Sequence, residues 1–314
     1  MRVLVTGADG FVGRHLCRFL QDGGDTVVPL VGAGGSELAG ATSAPSAVDV
    51  RDGRALADAV ARALPDAIIH LAAVSSVAES HRDPVTTFEV NTLGTLNVCM
   101  AARALENGVR LLLVSSGEVY GAGPLEPPHI ETAPLAPTSP YGASKVAGET
   151  VGIQFAHSYG LHVVVARPFS HLGTGQAPTF AVPSFARQLA EARRDRAKAT
   201  LRVGNLEAVR DFSHVRDVIA AYRLLLERGQ PGEAYNVCSG HGRSLRSVLD
   251  ELIQLAGVQV TVQVDPARFR PADIPTLVGD PSKLRSLGWT PRYTLRAALA
   301  DVLGDDGHGS GNKT

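Results

Sequence analysis

The stretch "TGADGFVG", residues 6–13, decides how the chain is read. It follows "RVLV", a run of aliphatic residues suited to a buried strand, and leads into "FVGRHLCRFLQDG" (11–23), whose apolar positions recur at helical spacing. Glycines at 7, 10 and 13 let the backbone turn tightly and come close to a ligand, and they bring a helix N-terminus to bear on it. Free N–H groups and the positive end of the helix dipole then face whatever anion lies there. The spacing is G-x-x-G-x-x-G rather than the commoner G-x-G-x-x-G. Gly7, Gly10, Phe11 and Gly13 are therefore the first candidate contacts to a dinucleotide.

The rhythm that starts here continues through the first half. Apolar runs at 25–31, 67–73, 110–116 and 161–168 read as strands, and "AVDV" (47–50) as a short strand end. Between them, 52–64, 84–108 and 141–160 read as helices, and the Gly, Ala and Ser-rich segment 32–47 as a loop. Continuous apolar strands separated by helices predict a parallel sheet covered on both faces, the doubly wound α/β class. After Pro168 loops lengthen and strands become sparse. Helices are expected at 180–196, 211–229 and 244–257, with a strand at 233–240. We expect a dinucleotide-binding domain over 1–167, to which 211–238 returns. A smaller, discontinuous substrate domain would comprise 168–210 and 239–304, and 305–314 would be a disordered tail.

Composition narrows the function classes. The chain has 314 residues, 44% apolar and 19% charged, with a formal net charge of −1. Such a balance argues against a general nucleic-acid binder. No run approaches the roughly 20 apolar residues of a membrane span, and the N-terminus lacks the features of a signal peptide, so a cytoplasmic protein is expected. Cys17, Cys99 and Cys238 are dispersed in apolar surroundings and read as reduced core residues. No His-Glu-x-x-His, paired-Cys or P-loop motif occurs, and no metal site is expected.

At the ribose end, the second strand finishes "VVPLVGAGG", without an acid to select a 2′-hydroxyl or a nearby Arg to hold a 2′-phosphate. NAD and NADP both remain open. Asp49, with Val50 beside it, is a candidate for the adenine ring or, equally, a cap for helix 52–64.

The chemistry lies further on. "LLLVSSGEVYG" ends a buried strand in Ser115, Ser116 and Glu118, and strand carboxyl ends are where such sheets hold ligands. In "SPYGASK", Tyr141 and Lys145 are one helical turn apart. A phenol with a pKa near 10 is a poor base at neutral pH. A neighbouring ammonium is expected to lower that pKa, so that the Tyr exchanges a proton with a carbinol oxygen while a Ser hydroxyl orients it. His70 reads as a satisfied core residue, His214 as structural, and Asp211 and Asp217 as helix-terminus carboxylates.

Together "TGADGFVG", "HLAA", "NTLGT", "VSSGEVYG" and "SPYGASK" resemble the nucleotide-sugar branch of the extended short-chain dehydrogenase/reductases over nearly the whole chain. The resemblance implies Ser116, Tyr141 and Lys145 as the catalytic triad, with Glu118 as a further acid/base. It implies that Leu71, Ala72, Ala73, Asn91, Ser115 and Arg167 serve the cofactor, and that Ser75, Ser170, His171, Arg187, Arg210 and Arg270 serve the substrate. Within the branch, "RPFSHLGTGQAP", "VRDFSHVRDVIAAYRLLL" and "RPADIPTLVGDPSKLRSLGWTPRYTL" resemble the reductases and dehydratases of GDP-linked sugars. Ser170 stands where these relatives usually place an Asn. The resemblance implies NAD(P)H-dependent reduction of the C4 keto group of a GDP-linked 4-keto-6-deoxy sugar. The alternatives are 4,6-dehydration or 4-epimerisation, or a non-catalytic NAD(P)-binding protein. It also implies a homodimer formed through helices 84–108 and 141–159.

Overall fold

The computed structural model describes residues 1–32, 46–105, 108–124, 126–195, 199–269 and 274–305. Most of the 32–47 loop, Arg270 and the tail from 306 lie outside the described residues.

A seven-stranded parallel sheet forms the base of the molecule. Its strands are β1 (Arg2–Thr6), β2 (Thr26–Val31), β3 (Ser46–Ala47), β4 (Ala67–His70), β5 (Arg110–Val114), β6 (His162–Pro168) and β10 (Ala234–Val237). Their order is β3-β2-β1-β4-β5-β6-β10, so the sheet winds outward both ways from β1 and β4. Between those two strands the direction of winding reverses, and their carboxyl ends open a crevice. β4, β5 and β6 are buried almost throughout, as a sheet covered on both faces requires.

On one face, α1 (Phe11–Asp22) and α8 (Val215–Arg228) pack Leu16, Leu20, Tyr222 and Leu225 against Val3, Val5 and Ile69. On the other, α2 (Gly53–Ala63), α5 (Gly94–Arg103) and α6 (Pro140–Tyr159) bury Leu56, Val98 and Phe155 against Leu4, Ile68 and Leu111. The short helices α3 (Val77–Arg82) and α4 (Pro84–Phe88) precede α5. The sequence predicts one helix over 84–108. The structure breaks it with a π-helical turn at Glu89–Leu93, which turns Asn91 inward. Such turns are frequent at functional sites.

Beyond β6 lies a second cluster. β7 (Ser170–Leu172), β9 (Val209–His214), β11 (Gly242–Ser244) and β13 (Thr276–Leu277) form a small mixed sheet, and β8 (Ala199–Val203) pairs in parallel with β12 (Val260–Val264). Helices α7 (Ala181–Asp195), α9 (Leu245–Ala256) and α11 (Leu295–Asp305) enclose a core around Leu189, Leu201, Leu249 and Leu299. The helix α10 (Ser282–Ser286) lies against β10. No helix among the described residues is long and apolar enough to cross a membrane.

The segment read as one helix from 211 is strand through His214 and helix only from Val215. Tertiary pairing with β7, β11 and β13 overrides the local pattern. Asp211 is consequently not a helix-terminus carboxylate. It is fully buried and accepts hydrogen bonds from the Ser239 hydroxyl at 2.6 Å and the N–H groups of Ser239 and Gly240 at 2.8 and 2.9 Å. It thereby ties the small sheet to the end of β10. Asp217 lies in the first turn of α8 and accepts from the N–H groups of Arg292 and Tyr293 at 2.8 and 3.1 Å. His214 caps that helix through Nδ1 and meets Asp301 through Nε2 at 3.2 Å. Asp211→Ala would leave these donors buried without a partner, at a cost of about 3 kcal/mol. Thermal unfolding should show a Tm at least about 5 °C below the parent's.

Candidate active site

The site begins where β1 stops. Gly7 takes φ +67°, and a Cβ there would meet the Ala72 N at 2.8 Å. At Gly13 a Cβ would lie 2.2 Å from the Gly7 carbonyl oxygen and 2.6 Å from that of Ala8. Only glycine permits so close a stacking of the first turn of α1 on the loop. Gly10 caps α1 without a side chain, and no acid occupies the first turn, so the helix N-terminus remains suited to an anion. Ala72 N–H donates to Thr6 Oγ1 at 3.2 Å, and His70 Nδ1 lies 2.8 Å from the same oxygen. His70 is thus a satisfied core residue, and burial holds its pKa down at about 3.

From this turn a cavity of about 1310 Å³ runs along the carboxyl ends of the strands, large enough for a dinucleotide beside a second ligand. Gly7, Gly10, Phe11, Gly13, Asp49, Val50, Leu71, Ala72, Ala73 and Ser115 line one part of it. Ser115 Oγ is buried without a hydrogen-bond partner, so a polar group is lacking where a ligand could supply one. These features fit a dinucleotide. At the adenosine end, Asp49 does not cap α2, a role taken by Asp52; it holds Arg51, with N···O distances of 2.7 to 3.1 Å. Arg51 lines the cavity and had no signal in the sequence beyond its proximity to Asp49.

Two residues assigned to the cofactor lie elsewhere. Asn91 exchanges hydrogen bonds with the backbone of Val74, 2.8 and 3.1 Å, and donates to Ser144 Oγ at 2.9 Å. It clamps the loop after β4 to α6 and is absent from the cavity wall. Arg167 is buried beneath the site in a bidentate pair with Glu149, with 2.7 Å between Nη2 and Oε2. Its guanidinium is consumed by that pair, by Tyr120 and by the Glu131 carbonyl.

The chemistry-bearing residues meet at the centre of the cavity. Ser139 caps α6 by accepting from Gly142 N–H at 3.1 Å, and Pro140 fills the first helical position, which sets Tyr141 in the opening turn. Ser116 follows β5, accepts from Glu118 N–H at 3.2 Å and lies beside the Tyr141 phenol, close enough to draw its pKa down. One turn along α6, the Lys145 ammonium donates to the Val114 carbonyl at 2.9 Å and lies 6.0 Å from the Tyr141 ring. The one-turn spacing predicts that Lys145 lowers the Tyr141 pKa. In the structure burial dominates, the nearby Ser116 hydroxyl offsets it only in part, and the charge of Glu118 adds to it, so the phenol is pushed up to about 12. The ammonium spends its nearest contact on a carbonyl rather than on the phenol. Tyr141 is therefore a neutral acid at physiological pH.

The other wall belongs to the smaller cluster, from which Ser170, His171, Arg202, Asn205, Arg210 and Arg268 line the cavity; Ser75 lines it from the loop after β4. His171 donates through Nδ1–H to the Phe169 carbonyl at 2.9 Å and stacks on Phe11 at 5.9 Å, so it sits against the glycine turn. Arg187 does not reach the cavity; it is half exposed on α7, 3.9 Å from Glu191. Arg268, two residues before Arg270, is a cavity cation with no motif to mark it in the sequence. Among the described residues no group of three or more acidic, His or Cys side chains could hold a metal ion.

This arrangement, a glycine turn under a dinucleotide-sized cleft with Ser, Tyr and Lys at its centre, defines an extended short-chain dehydrogenase/reductase. A family model described as GDP-mannose 4,6 dehydratase matches residues 4–302, and the chain belongs to that family. The chain is 38% identical over 309 residues to a GDP-6-deoxy-D-mannose reductase of Pseudomonas aeruginosa, covering 97% of this chain and 96% of the relative. It is 30% identical over 290 residues to a GDP-mannose 4,6-dehydratase of Vibrio cholerae, covering 82% and 77%. Among solved structures, RMD of Pseudomonas aeruginosa complexed with NADPH superposes with a TM-score of 0.86 at 35% identity, covering 97% and 98%. The Thermus thermophilus UDP-glucose 4-epimerase complex with NAD does so with 0.88 at 34%, covering 99% and 100%.

Burial also depresses Lys145, from 10.5 to about 8. The folded chain then binds fewer protons than the unfolded chain between pH 8 and 10.5, so this group costs stability fully below pH 8, and the cost is relieved as pH rises to 10.5. Lys145→Met should raise Tm by a few degrees at pH 7, with the gain shrinking towards pH 10.5. Calorimetry across that range checks both the sign and the window.

Proposed function

We propose that the protein reduces the C4 keto group of a GDP-linked 4-keto-6-deoxy sugar with NAD(P)H. The observation that carries this reading is that Ser116, Tyr141 and Lys145 line one cleft with the glycine turn of β1 and with Arg202, Arg210 and Arg268. Arginine forks suit a sugar-linked diphosphate. Bound NAD(P)H supplies hydride to the carbonyl carbon. Ser116 donates a hydrogen bond to the carbonyl oxygen and turns it towards the phenol. Tyr141 gives its proton to that oxygen as negative charge develops, which completes the alcohol. The phenolate left behind is stabilised by the Lys145 ammonium one turn away, until a proton returns.

A second reading, 4,6-dehydration, is favoured by one observation: Glu118 lines the cavity close enough to Tyr141 to raise its pKa. Elimination needs such an additional acid/base. The two readings separate cleanly. With GDP-4-keto-6-deoxy-mannose the purified protein should oxidise NADPH or NADH, and Tyr141→Phe should lower kcat by roughly 10²- to 10⁴-fold. Loss of water from GDP-mannose without added reductant, with no consumption of reduced cofactor on the keto sugar, would establish the dehydratase instead.

The α4–α5 surface supports a homodimer. Val85, Phe88, Leu93 and Met100 expose 39 to 67% of their surface, and the first three line an apolar groove. An exposed apolar patch of this kind marks an interface. Sedimentation equilibrium at micromolar concentration should give twice the chain mass. Val85→Glu together with Leu93→Glu should give the monomer with a Tm close to the parent's, since both side chains are exposed.

A further inference from the structure

The buried pair beneath the site has a place in its chemistry. Tyr141, Lys145 and Glu149 follow one another at successive turns of α6, and all three are at most 8% exposed. Glu149 cannot move: Arg167 grips it with Nε at 3.1 Å from both carboxylate oxygens and Nη2 at 2.7 Å from Oε2. Arg167 is itself fixed, because Nη1 donates to the Tyr120 hydroxyl at 2.8 Å and to the Glu131 carbonyl at 2.9 Å. Tyr120 in turn donates to Asn236 Oδ1 at 2.7 Å, and Asn236 Nδ2 donates to the His129 carbonyl at 2.8 Å. A hydrogen-bonded chain therefore runs from β10 across β6 to the underside of α6 and ends on a carboxylate one turn from the ammonium.

We propose that Glu149 is a positioning residue for the acid pair, its carboxylate supplying the counter-charge that keeps the buried Lys145 ammonium charged and seated on the Val114 carbonyl. An ammonium taken out of water tends to lose its proton unless an opposite charge lies near. The charged and titratable groups around Lys145 leave this task to Glu149. His70 on β4 is neutral, Tyr141 on α6 is a neutral phenol, and Arg167 on β6 carries the same sign. Glu118, beyond β5, acts on Tyr141, while Glu149 is the carboxylate that raises Lys145 against its burial. The Glu149–Arg167 pair thus does more than cross-link α6 to the sheet. It sets the pH range in which the cation beside the phenol is present.

This inference rests on Tyr141 and Lys145 forming the acid pair, but its test needs no turnover. The titration of the Lys145 ε-CH₂ group is followed by NMR on ¹³C-lysine-labelled protein, with the signal assigned by its loss in Lys145→Arg. The parent should titrate near 8. Glu149→Gln should lower that midpoint by about one unit, while Glu149→Asp, which keeps the charge, should hold it within half a unit of the parent. Because Glu149→Gln strands Arg167, the doubly substituted Glu149→Met/Arg167→Met protein, which replaces the ion pair with apolar side chains of similar length, supplies a second folded variant and should also titrate lower. A midpoint unchanged in either folded variant overturns the proposal and leaves the pair as a cross-link only. The reductase reading stands or falls separately, on turnover of the keto sugar.

Discussion

The hydrogen bond from the Lys145 ammonium to the last carbonyl of β5 is the contact on which the site depends. It pins α6 to the carboxyl edge of the sheet. Two residues beyond that carbonyl is Ser116, and one helical turn before that ammonium is Tyr141. A single contact between a strand end and a helix thus brings the hydroxyl and the phenol together. The cost is a buried cation, with its pKa drawn down to about 8. Strain of this kind is kept where function needs it and compensated around it.

The compensation is distributed across the fold. Glu149 and Arg167 sit under Lys145, Asn91 ties the loop after β4 to α6 through Val74 and Ser144, and the glycines of the first turn let that loop approach β1. Asp211 holds the smaller cluster at the end of β10, and Arg202, Arg210 and Arg268 of that cluster line the same cavity as the phenol. Glu149 with Arg167, Asn91 and Asp211 are buried polar groups with their partners satisfied. Such networks hold one arrangement and penalise others.

Much of this was legible in the sequence. The parallel sheet showed in apolar runs at strand length, and the anion-binding turn in three glycines following the first of them. Ser116, Tyr141 and Lys145 could be named because strand end and helix start are local features. What escaped depends on partners distant in the chain. Arg167 is assigned to the cofactor by the resemblance alone; its partner Glu149, 18 residues earlier on α6, meets it only once α6 lies on the sheet. Residues 211–214 read as helix because the strands that pair with them come from 170–172, 242–244 and 276–277. The state of Tyr141 was misjudged for a similar reason. The spacing to Lys145 is visible, but the burial that outweighs it is not.

The central claim is that the protein delivers hydride to a C4 carbonyl, with Tyr141 as the acid. Its most direct test uses cofactor carrying deuterium at the transferring position of the nicotinamide, with GDP-4-keto-6-deoxy-mannose as the acceptor. Mass spectrometry and NMR of the sugar then locate the label. Net incorporation of one deuterium at C4, with stoichiometric oxidation of the cofactor, is the result the account predicts. A sugar product without deuterium at C4 would contradict it.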